Sequence, residues 1–301
     1  MAADNALVSV VVIFFNEKLY LGEAVASVQA QTYPHWELLL VDDGSTDGST
    51  ELAKDFARQD PARIRYVEHP GHSNRGASAT RNLGVSEAHG EWIAFLDGDD
   101  IWLPMRLERT VDLARANPDA DMVYGKTEYW YSWQGASARE KDRVQPHFFA
   151  ADRLVKAPDL LVRHLSLRAA LPCMGSLLIR RNAYLNVGGF EKAFRGLVDD
   201  AVFLGKFCLH YDVYVSNECW DRYRQHPGSD TAVAAAEGRM QRAQLDYLHW
   251  LQNYSQAHAI DQPSLHKALR GAIRRVSTPS NTFGSRLSGA CRRLARWVAS
   301  A

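Results

Sequence analysis

The first 117 residues alternate between strand-like and helix-like patterns, and this alternation restricts the possible folds more than any other feature of the sequence. Residues 8–15 form a continuous β-branched and aromatic run, which is typical of a strand covered on both faces. Further strands are predicted at 36–41, 64–67 and 92–96, with helices at 18–31, 50–58, 77–88 and 103–117. Such alternation predicts an α/β fold, with a Rossmann-like, mostly parallel central sheet and helices on both faces.

Beyond residue 118 the pattern is less regular. Aromatic residues crowd the stretch YGKTEYWYSW at 124–133, and a polar stretch predicted as a loop follows. A strand, a short helix and a Gly-Gly turn are predicted within 173–190, a helix at 199–209, a strand at 214–224 and a helix at 231–254. No Pro/Ser-rich linker separates these elements, so we expect one continuous domain with additional C-terminal helices.

The bulk properties exclude several classes of protein. The 35 Lys and Arg residues balance 35 Asp and Glu residues, which argues against a nucleic-acid partner. The four cysteines show no CxxC spacing, which argues against a zinc site or a disulfide framework. The N-terminus lacks the features of a signal peptide, and no apolar run approaches the roughly 20 residues of a membrane-spanning helix. We therefore expect a cytoplasmic protein, either soluble or peripheral at the inner face of the membrane.

Polar residues directly follow three of the predicted strands. Asn16 follows the first, Asp42 and Asp43 follow the second, and the sequence DGDD, residues 97–100, follows the fourth. Because ligands of such sheets bind beyond the carboxyl ends of the strands, we expect these residues to lie along one edge. The stretch DDGSTDGST alone is equally consistent with a solvated turn that caps a helix, but a second acidic cluster at another strand end favours a binding site.

The DGDD stretch places three mutually repelling carboxylates where a buried strand ends, which is costly unless something compensates their charge. Mg²⁺ and Mn²⁺ prefer oxygen ligands and would cancel that repulsion. The spacing of Asp97 and Asp99 puts both side chains on the same side of an extended backbone. Gly98 allows a close approach to a ligand or an unusual turn. Asp100 is available to cap the helix that begins near Leu103.

Four segments together resemble the family 2 glycosyltransferases that use nucleotide sugars. They are VSVVVIFFNE (8–17), SVQAQTYPHWELLLVDDGSTDGS (27–49), GASATRNLGVSEAHGEWIAFLDGDDIWLP (76–104) and GGFEKAF (188–194). The resemblance covers about residues 7–230. It implies a GT-A fold, Mn²⁺ or Mg²⁺, a nucleoside-diphosphate sugar donor (most often UDP) and inverting transfer to the hydroxyl of a saccharide or lipid-linked acceptor. Residues 1–118 would then be the donor-binding half, 119–230 the acceptor-binding half, and 231–301 a basic helical extension.

The resemblance also implies roles for individual residues of the donor site. Asp43 matches the residue that pairs with the nucleotide base, and Arg81 matches one near the diphosphate or base. Asp97 and Asp99 match the DxD motif, with Asp99 as the direct metal ligand and Asp97 nearer the ribose and diphosphate. His226, in YRQHPGSD, resembles a histidine near the metal. Asn16 completes the donor-binding set, and Asn82 is expected to be structural.

The catalytic base is predicted from the sequence LVDDAVFLGKF. Inverting displacement requires a carboxylate that takes the proton of the acceptor hydroxyl. The second acid, Asp200, matches the base of the family, whereas Asp199 replaces the usual Glu and Lys206 the usual Arg. The alternative is a pair of acids at a helix N-terminus, where the dipole favours them. Phe14 stands where the family commonly has a small hydroxyl residue, which makes the donor preference less certain.

Two other functions stay open from the sequence. The chain could be a non-catalytic nucleotide-sugar-binding protein of the same fold. A nucleotidyltransferase also uses strand-end acids and a metal, but FFNEKLYLGE lacks the Gly-rich loop that such enzymes use to hold a triphosphate. The aromatic residues of 129–133 suit sugar stacking or core packing. The basic C-terminal segment suits a solvated tail, a partner-binding helix or peripheral contact with an anionic membrane through Leu287, Leu294, Trp297 and Val298.

Overall fold

A computed structural model describes residues 5–147 and 149–278, with the backbone alone at 230 and 231. In these residues the strands are β1 (Val8–Phe14), β2 (Trp36–Asp42), β3 (Ile64–Glu68), β4 (Trp92–Asp97), β5 (Ile101–Trp102), β6 (Met122–Trp130), β7 (Arg143–Val144), β8 (Arg153–Val155), β9 (Leu177–Arg180) and β10 (Val213–Arg224). The α-helices are α1 (Leu21–Gln29), α2 (Ser49–Gln59), α3 (Ala77–Ser86), α4 (Arg106–Ala116), α5 (Asp159–Leu165), α6 (Arg181–Asn186), α7 (Asp199–His210), α8 (Asp230–Ala236), α9 (Met240–Ala257) and α10 (Pro263–Ser277).

The strands form one central sheet in the order β3-β2-β1-β4-β9-β6-β10-β5. The first four are parallel to one another, as the alternating pattern predicts. In the second half, β9 is antiparallel to both β4 and β6, whereas β10 runs parallel to β6. The predicted α/β fold with a central sheet is therefore confirmed, and the departures from parallel pairing lie in the half where the sequence pattern is less regular.

The inner strands of the sheet are buried on both faces and are largely apolar, with Ser9 and Glu37 as a buried hydrogen-bonded pair. Side chains of β1 and β2 alternate between two cores, with Val11 and Leu39 in one and Val10 and Leu38 in the other. Every residue of these two strands is buried. This arrangement explains the continuous rather than alternating apolar pattern of the first strand.

The C-terminal part differs from the prediction of one helix over 231–254. The chain instead forms α8 and α9, separated by Gly238, which takes a left-handed φ of +69° and ends the first helix. The helix α10 then packs against α9 and α5. None of the helices in the described residues is long and apolar enough to cross a membrane. Cys291 and the four apolar residues of the predicted membrane contact lie outside the described residues.

Candidate active site

The first two strands end in loops that are tied together by Asn16. This exposed residue has a left-handed φ of +58°, and its side-chain oxygen accepts a hydrogen bond from the Thr46 amide at 2.8 Å. Its own amide donates to the Ser45 hydroxyl at 2.9 Å. The ring of the preceding residue, Phe15, is 46% exposed at the same strand end. Asn16 thus fixes the loop geometry, and the exposed aromatic beside it is a feature that the sequence analysis did not single out.

The two acids that follow β2 have separate partners. The buried Asp42 carboxylate accepts from the Ser45 amide and the Thr50 hydroxyl, which fastens the start of α2. The Asp43 carboxylate accepts from the backbone amides of Arg75 at 2.6 Å and Gly76 at 2.9 Å. Asp43 therefore lies at the predicted strand end and holds the loop before α3. Its contact with a nucleotide base stays a prediction.

The three acids of the DGDD turn diverge onto three different partners. Asp97 accepts from an Arg81 nitrogen at 2.7 Å, and Asp99 lies 3.0 Å from Nε2 of His226. Asp100 accepts from the backbone amide of Arg224 at 2.8 Å. The short strand β5 pairs with β10 immediately after the turn, which explains why residues of β10 and the segment after it meet the acids of β4.

One expectation about this turn is wrong, and one of the two roles considered for Gly98 is not seen. Asp100 does not cap a helix, because α4 begins at Arg106 without any side-chain cap and Asp100 is buried against β10. Burial and then the charges of Asp99 and Asp97 raise its pKa well above the usual range. Gly98 has no unusual backbone angle. A Cβ atom there would lie 2.8 Å from Cβ of Phe14, so Gly98 is required by its close approach to β1.

Arg81 is the buried centre of the site. Its two terminal nitrogens donate to Asp97 at 2.7 Å and to Asp199 at 2.9 Å, and the residue is 5% exposed. Burial disfavours its charge, but the two carboxylates outweigh burial and raise its pKa. Arg81 therefore joins the turn after β4 to the start of α7 through a buried side chain. Its neighbour Asn82 is fully engaged with Tyr184 and Phe190, in keeping with the structural role expected of it.

Asp200 lies in the first turn of α7, beside Asp199. One of its oxygens accepts from the Ala201 amide at 2.6 Å. Burial and then the charge of Asp199 raise the pKa of Asp200 to about 6, and Asp97 contributes in the same direction. Asp200 is thus within electrostatic reach of the DxD motif, and its pKa suits a proton acceptor near neutral pH. Lys206 lies farther along α7, where it is buried and paired with Glu191.

Arg224 belongs to the site although the sequence analysis did not identify it. This residue is 1% exposed, and its side chain donates to the Asp99 carbonyl at 2.6 Å and to Glu23 at 2.8 Å. Its guanidinium also lies over the rings of Tyr20, Trp130 and Trp133. Trp130 and Trp133 thereby pack around a buried cation, which favours the packing interpretation of the aromatic stretch. The one feature of the sequence that could have indicated a place for Arg224 in the site is its position two residues before His226.

Asp99 and His226, which are hydrogen-bonded to each other, are the two residues of the site that could hold a divalent cation. The described part of the chain has no group of three or more His, Cys, Asp or Glu side chains that could hold a metal. Asp99 and His226 nevertheless place two donor atoms 3.0 Å apart. That is about the separation of neighbouring ligands on an octahedral ion with bonds of about 2.1 Å. Such an ion needs few protein ligands when substrate phosphates supply the others.

Comparison with known sequences assigns a family to the chain. The family model described as "Glycosyl transferase family 2" matches residues 9–169. The chain is 29% identical over 220 residues to the "Putative teichuronic acid biosynthesis glycosyltransferase TuaG" of Bacillus subtilis (strain 168), covering 72% of this chain and 79% of that one. It is 34% identical over 125 residues to the Escherichia coli "UDP-Glc:alpha-D-GlcNAc-diphosphoundecaprenol beta-1,3-glucosyltransferase WfgD", covering 42% of this chain and 47% of that one.

Solved structures show the same fold at low sequence identity. TarS residues 1–349 of S. aureus in complex with UDP-GlcNAc is 19% identical, with a TM-score of 0.68 over 97% of this chain and 79% of that one. The mannosyltransferase PcManGT of Pyrobaculum calidifontis, in complex with GDP-Man and Mn²⁺, is 18% identical, with a TM-score of 0.60 over 97% of this chain and 79% of that one. These likenesses confirm the GT-A architecture.

Proposed function

The chain belongs to glycosyl transferase family 2, and from this premise we propose that it is a metal-dependent, inverting enzyme. It transfers a sugar from a nucleoside-diphosphate sugar, with UDP as the first nucleotide to test, to an acceptor hydroxyl. The product is part of a polysaccharide, glycolipid or glycoconjugate. The observation that carries this proposal is the Arg81 bridge, which joins the DxD turn after β4 to the acidic pair at the start of α7.

The donor diphosphate would lie at the carboxyl ends of β1, β2 and β4. Asp99 and His226 would hold Mn²⁺ or Mg²⁺ there, and the bound ion would act as a Lewis acid that offsets negative charge on the leaving diphosphate. The structure of PcManGT in complex with both GDP-Man and Mn²⁺ supports this assignment. Asp97, whose other oxygen is not bonded to Arg81, would face the ribose and diphosphate. Burial raises the pKa of Asp97, and the positive charge of Arg81 reduces that rise.

Asp200 would take the proton of the acceptor hydroxyl as the new glycosidic bond forms and the bond to the diphosphate breaks. The backbone amide of Asp200 donates to Asp199 at 2.9 Å, and Asp199 is in turn held by Arg81. Arg81 would therefore act as a positioning residue for the base and for Asp97, without touching substrate. The resemblance implied a place near the diphosphate or base for Arg81, and in this proposal Arg81 acts there through the two carboxylates that it holds.

Donor and acceptor classes are supported by the relatives. TarS is solved with UDP-GlcNAc, and the name of WfgD specifies UDP-glucose and a lipid-linked acceptor. The name of TuaG assigns it to teichuronic acid biosynthesis. The exposed ring of Phe15 beside Asn16 would offer a stacking surface to the nucleotide base, and Asp43 would accept from a base N–H. An oligosaccharide or lipid-linked saccharide is the acceptor class that follows.

The proposal is tested by mixing the protein with Mn²⁺ and a panel of UDP-, GDP- and dTDP-sugars, with and without acceptors, and measuring nucleoside-diphosphate release. We expect one donor to be turned over, and Asp200→Asn to lower kcat by about 10² to 10⁴. Donor affinity should change little, because Asp200 does not touch the diphosphate in this scheme. Asp246→Asn, an exposed acid on α9, serves as the matched control.

Three outcomes separate the alternatives. Donor binding without any release would favour the non-catalytic binding protein. Full turnover by Asp200→Asn would refute the assignment of the base. A product with the same anomeric configuration as the donor, read by NMR, would refute inversion.

A further inference from the structure

A cavity of about 660 Å³ lies away from the strand ends, between the Gly188–Glu191 loop, the second half of α7 and the last two turns of α9. Lys206 and His210 line it, six and ten residues after Asp200 on the same helix. At 1.5 Å per residue they lie roughly 9 and 15 Å along α7 from the proposed base. The cavity is therefore separate from the donor site but on the same helix as the acidic pair.

One wall of the cavity is a stack of three rings from α9 and the residue that directly follows it. Trp250, Tyr254 and His258 follow one another at intervals of four residues, and their planes are inclined by 25°. The ring centroids are 5.0 Å and 3.9 Å apart. The edge of Phe194 packs against Trp250 at 5.9 Å and fixes the inner end of the stack. Tyr254 lies between the other two rings, so both of its faces are covered and its ring supports that of His258. His258 is exposed, so the ring face that a ligand can reach is the outer face of His258.

The polar groups of the cavity are balanced in charge. Lys206 is the one Lys or Arg among its described lining residues, and its ammonium group is paired with Glu191 at 2.5 Å. The Tyr254 hydroxyl lies 3.2 Å from Nε2 of His210. An anionic ligand such as a phosphate would find no unpaired cation here. A neutral ligand that combines apolar faces with hydroxyl groups would find both an aromatic surface and hydrogen-bonding partners.

We propose that this cavity binds a saccharide, namely sugar residues of the acceptor that are remote from the reacting hydroxyl. The C–H faces of a pyranose carry partial positive charge and pack on aromatic rings, while its hydroxyls bond to groups such as Tyr254, His210 and Glu191. A lipid chain would favour aliphatic walls, and aliphatic residues contribute little to this lining. The inference rests on the proposed function, because it assigns a place to part of the acceptor of that reaction.

The test uses the full chain without donor and measures binding of cello-, malto-, chito- and mannohexaose by calorimetry and saturation-transfer NMR. We expect at least one hexaose to bind the wild type. Tyr254→Ala and His258→Ala should weaken that binding about three- to tenfold, and Tyr254→Phe should weaken it less because the ring is kept. His249→Ala is the matched control, since His249 is an exposed histidine of the same helix that does not line the cavity.

The inference is overturned if no hexaose binds the wild type, or if Tyr254→Ala and His258→Ala bind as tightly as His249→Ala. Circular dichroism of each variant shows whether a loss of binding reflects unfolding, and His258→Ala alters only an exposed side chain. Nucleoside-diphosphate release is measured on the same variants. If nucleoside diphosphate is released but the substitutions leave hexaose binding unchanged, the cavity assignment alone is refuted. If no donor gives any release, the proposed function is refuted.

Discussion

The charge of one buried arginine determines how the acids of the site are arranged. The two terminal nitrogens of Arg81 donate to two carboxylates, those of Asp97 and Asp199, which come from distant parts of the chain. Truncating one partner of a buried ion pair leaves the other uncompensated and costs about 3–5 kcal/mol. Any substitution of Arg81 is therefore expected to affect folding as well as the site, which makes it a poor probe of catalysis. Asp200, which is not bonded to Arg81, is the better probe.

The pH dependence of kcat follows from the raised pKa of Asp200. A base must be deprotonated, so activity is lost as pH falls through the pKa, which burial and Asp199 raise to about 6. We expect kcat to be level above pH 7 and to fall about tenfold per pH unit well below 6. Asp199→Asn removes a neighbouring negative charge and should move this acid limb to lower pH. Because this variant also removes one of the two carboxylates paired with Arg81, circular dichroism must first show that it folds. Measured profiles that coincide for the two proteins would contradict the role of Asp200.

Among the secondary-structure elements, the pairing of β5 with β10 is what completes the predicted metal site. The two-residue strand β5 joins the DGDD turn to β10, and Arg224 at the end of β10 donates to the Asp99 carbonyl. The rings of Tyr20, Trp130 and Trp133 surround the guanidinium from other elements. Asp99 and His226 are 127 positions apart in the chain. The distance between their side chains therefore depends on how β10 packs against β5 and the DGDD turn.

Arg224→Lys tests this dependence. Lysine keeps the charge but cannot donate to Asp99 and Glu23 at once while lying flat on the rings. We expect the Mn²⁺ affinity measured by titration in the presence of UDP to fall about 10- to 100-fold, as for other residues that orient metal ligands. The control is Arg222→Lys on the same strand, whose side chain bonds to Glu128 and is more exposed. Equal Mn²⁺ affinity in the two variants, with unchanged circular dichroism, would show that Arg224 does not position the metal ligands.

At the scale of the whole molecule, the site lies where the parallel half of the sheet meets the mixed half. Asp43, Asp97 and Asp99 lie at strand ends of the parallel half, whereas Asp200 lies in α7 and His226 follows β10 of the other half. A ligand that contacts both halves should therefore stabilise the folded chain as a unit. Ligand present at 100 times its dissociation constant adds about 2.7 kcal/mol to the free energy of unfolding.

We expect UDP with Mn²⁺ to raise the melting temperature by several degrees, measured by differential scanning calorimetry. EDTA should remove most of that increase, because the diphosphate would then lack the ion that joins it to Asp99 and His226. Asp99→Asn keeps the shape of the side chain and should likewise lose the metal-dependent part. An increase that is the same with EDTA, or the same in Asp99→Asn, would contradict the metal assignment.

The sequence by itself determined the parallel half of the fold and its line of strand-end acids. Buried parallel strands need continuous apolar runs, and their loops need polar residues at defined points, so Val8–Phe14 and Asp97–Asp99 are visible in local patterns. The position of Asp200 came from the resemblance to family 2 rather than from local pattern.

Only the tertiary structure decided the contacts between residues far apart in the chain. The burial of Arg81 and Arg224, the attachment of Asp100 to β10 and the cavity beside α9 each depend on how separate elements pack. Arginine is usually exposed, so its residue type does not predict burial. The break at Gly238 was not predicted because an isolated glycine is tolerated within a helical pattern and does not by itself predict the end of a helix. Local preference sets the elements, whereas charge compensation in the core sets the site.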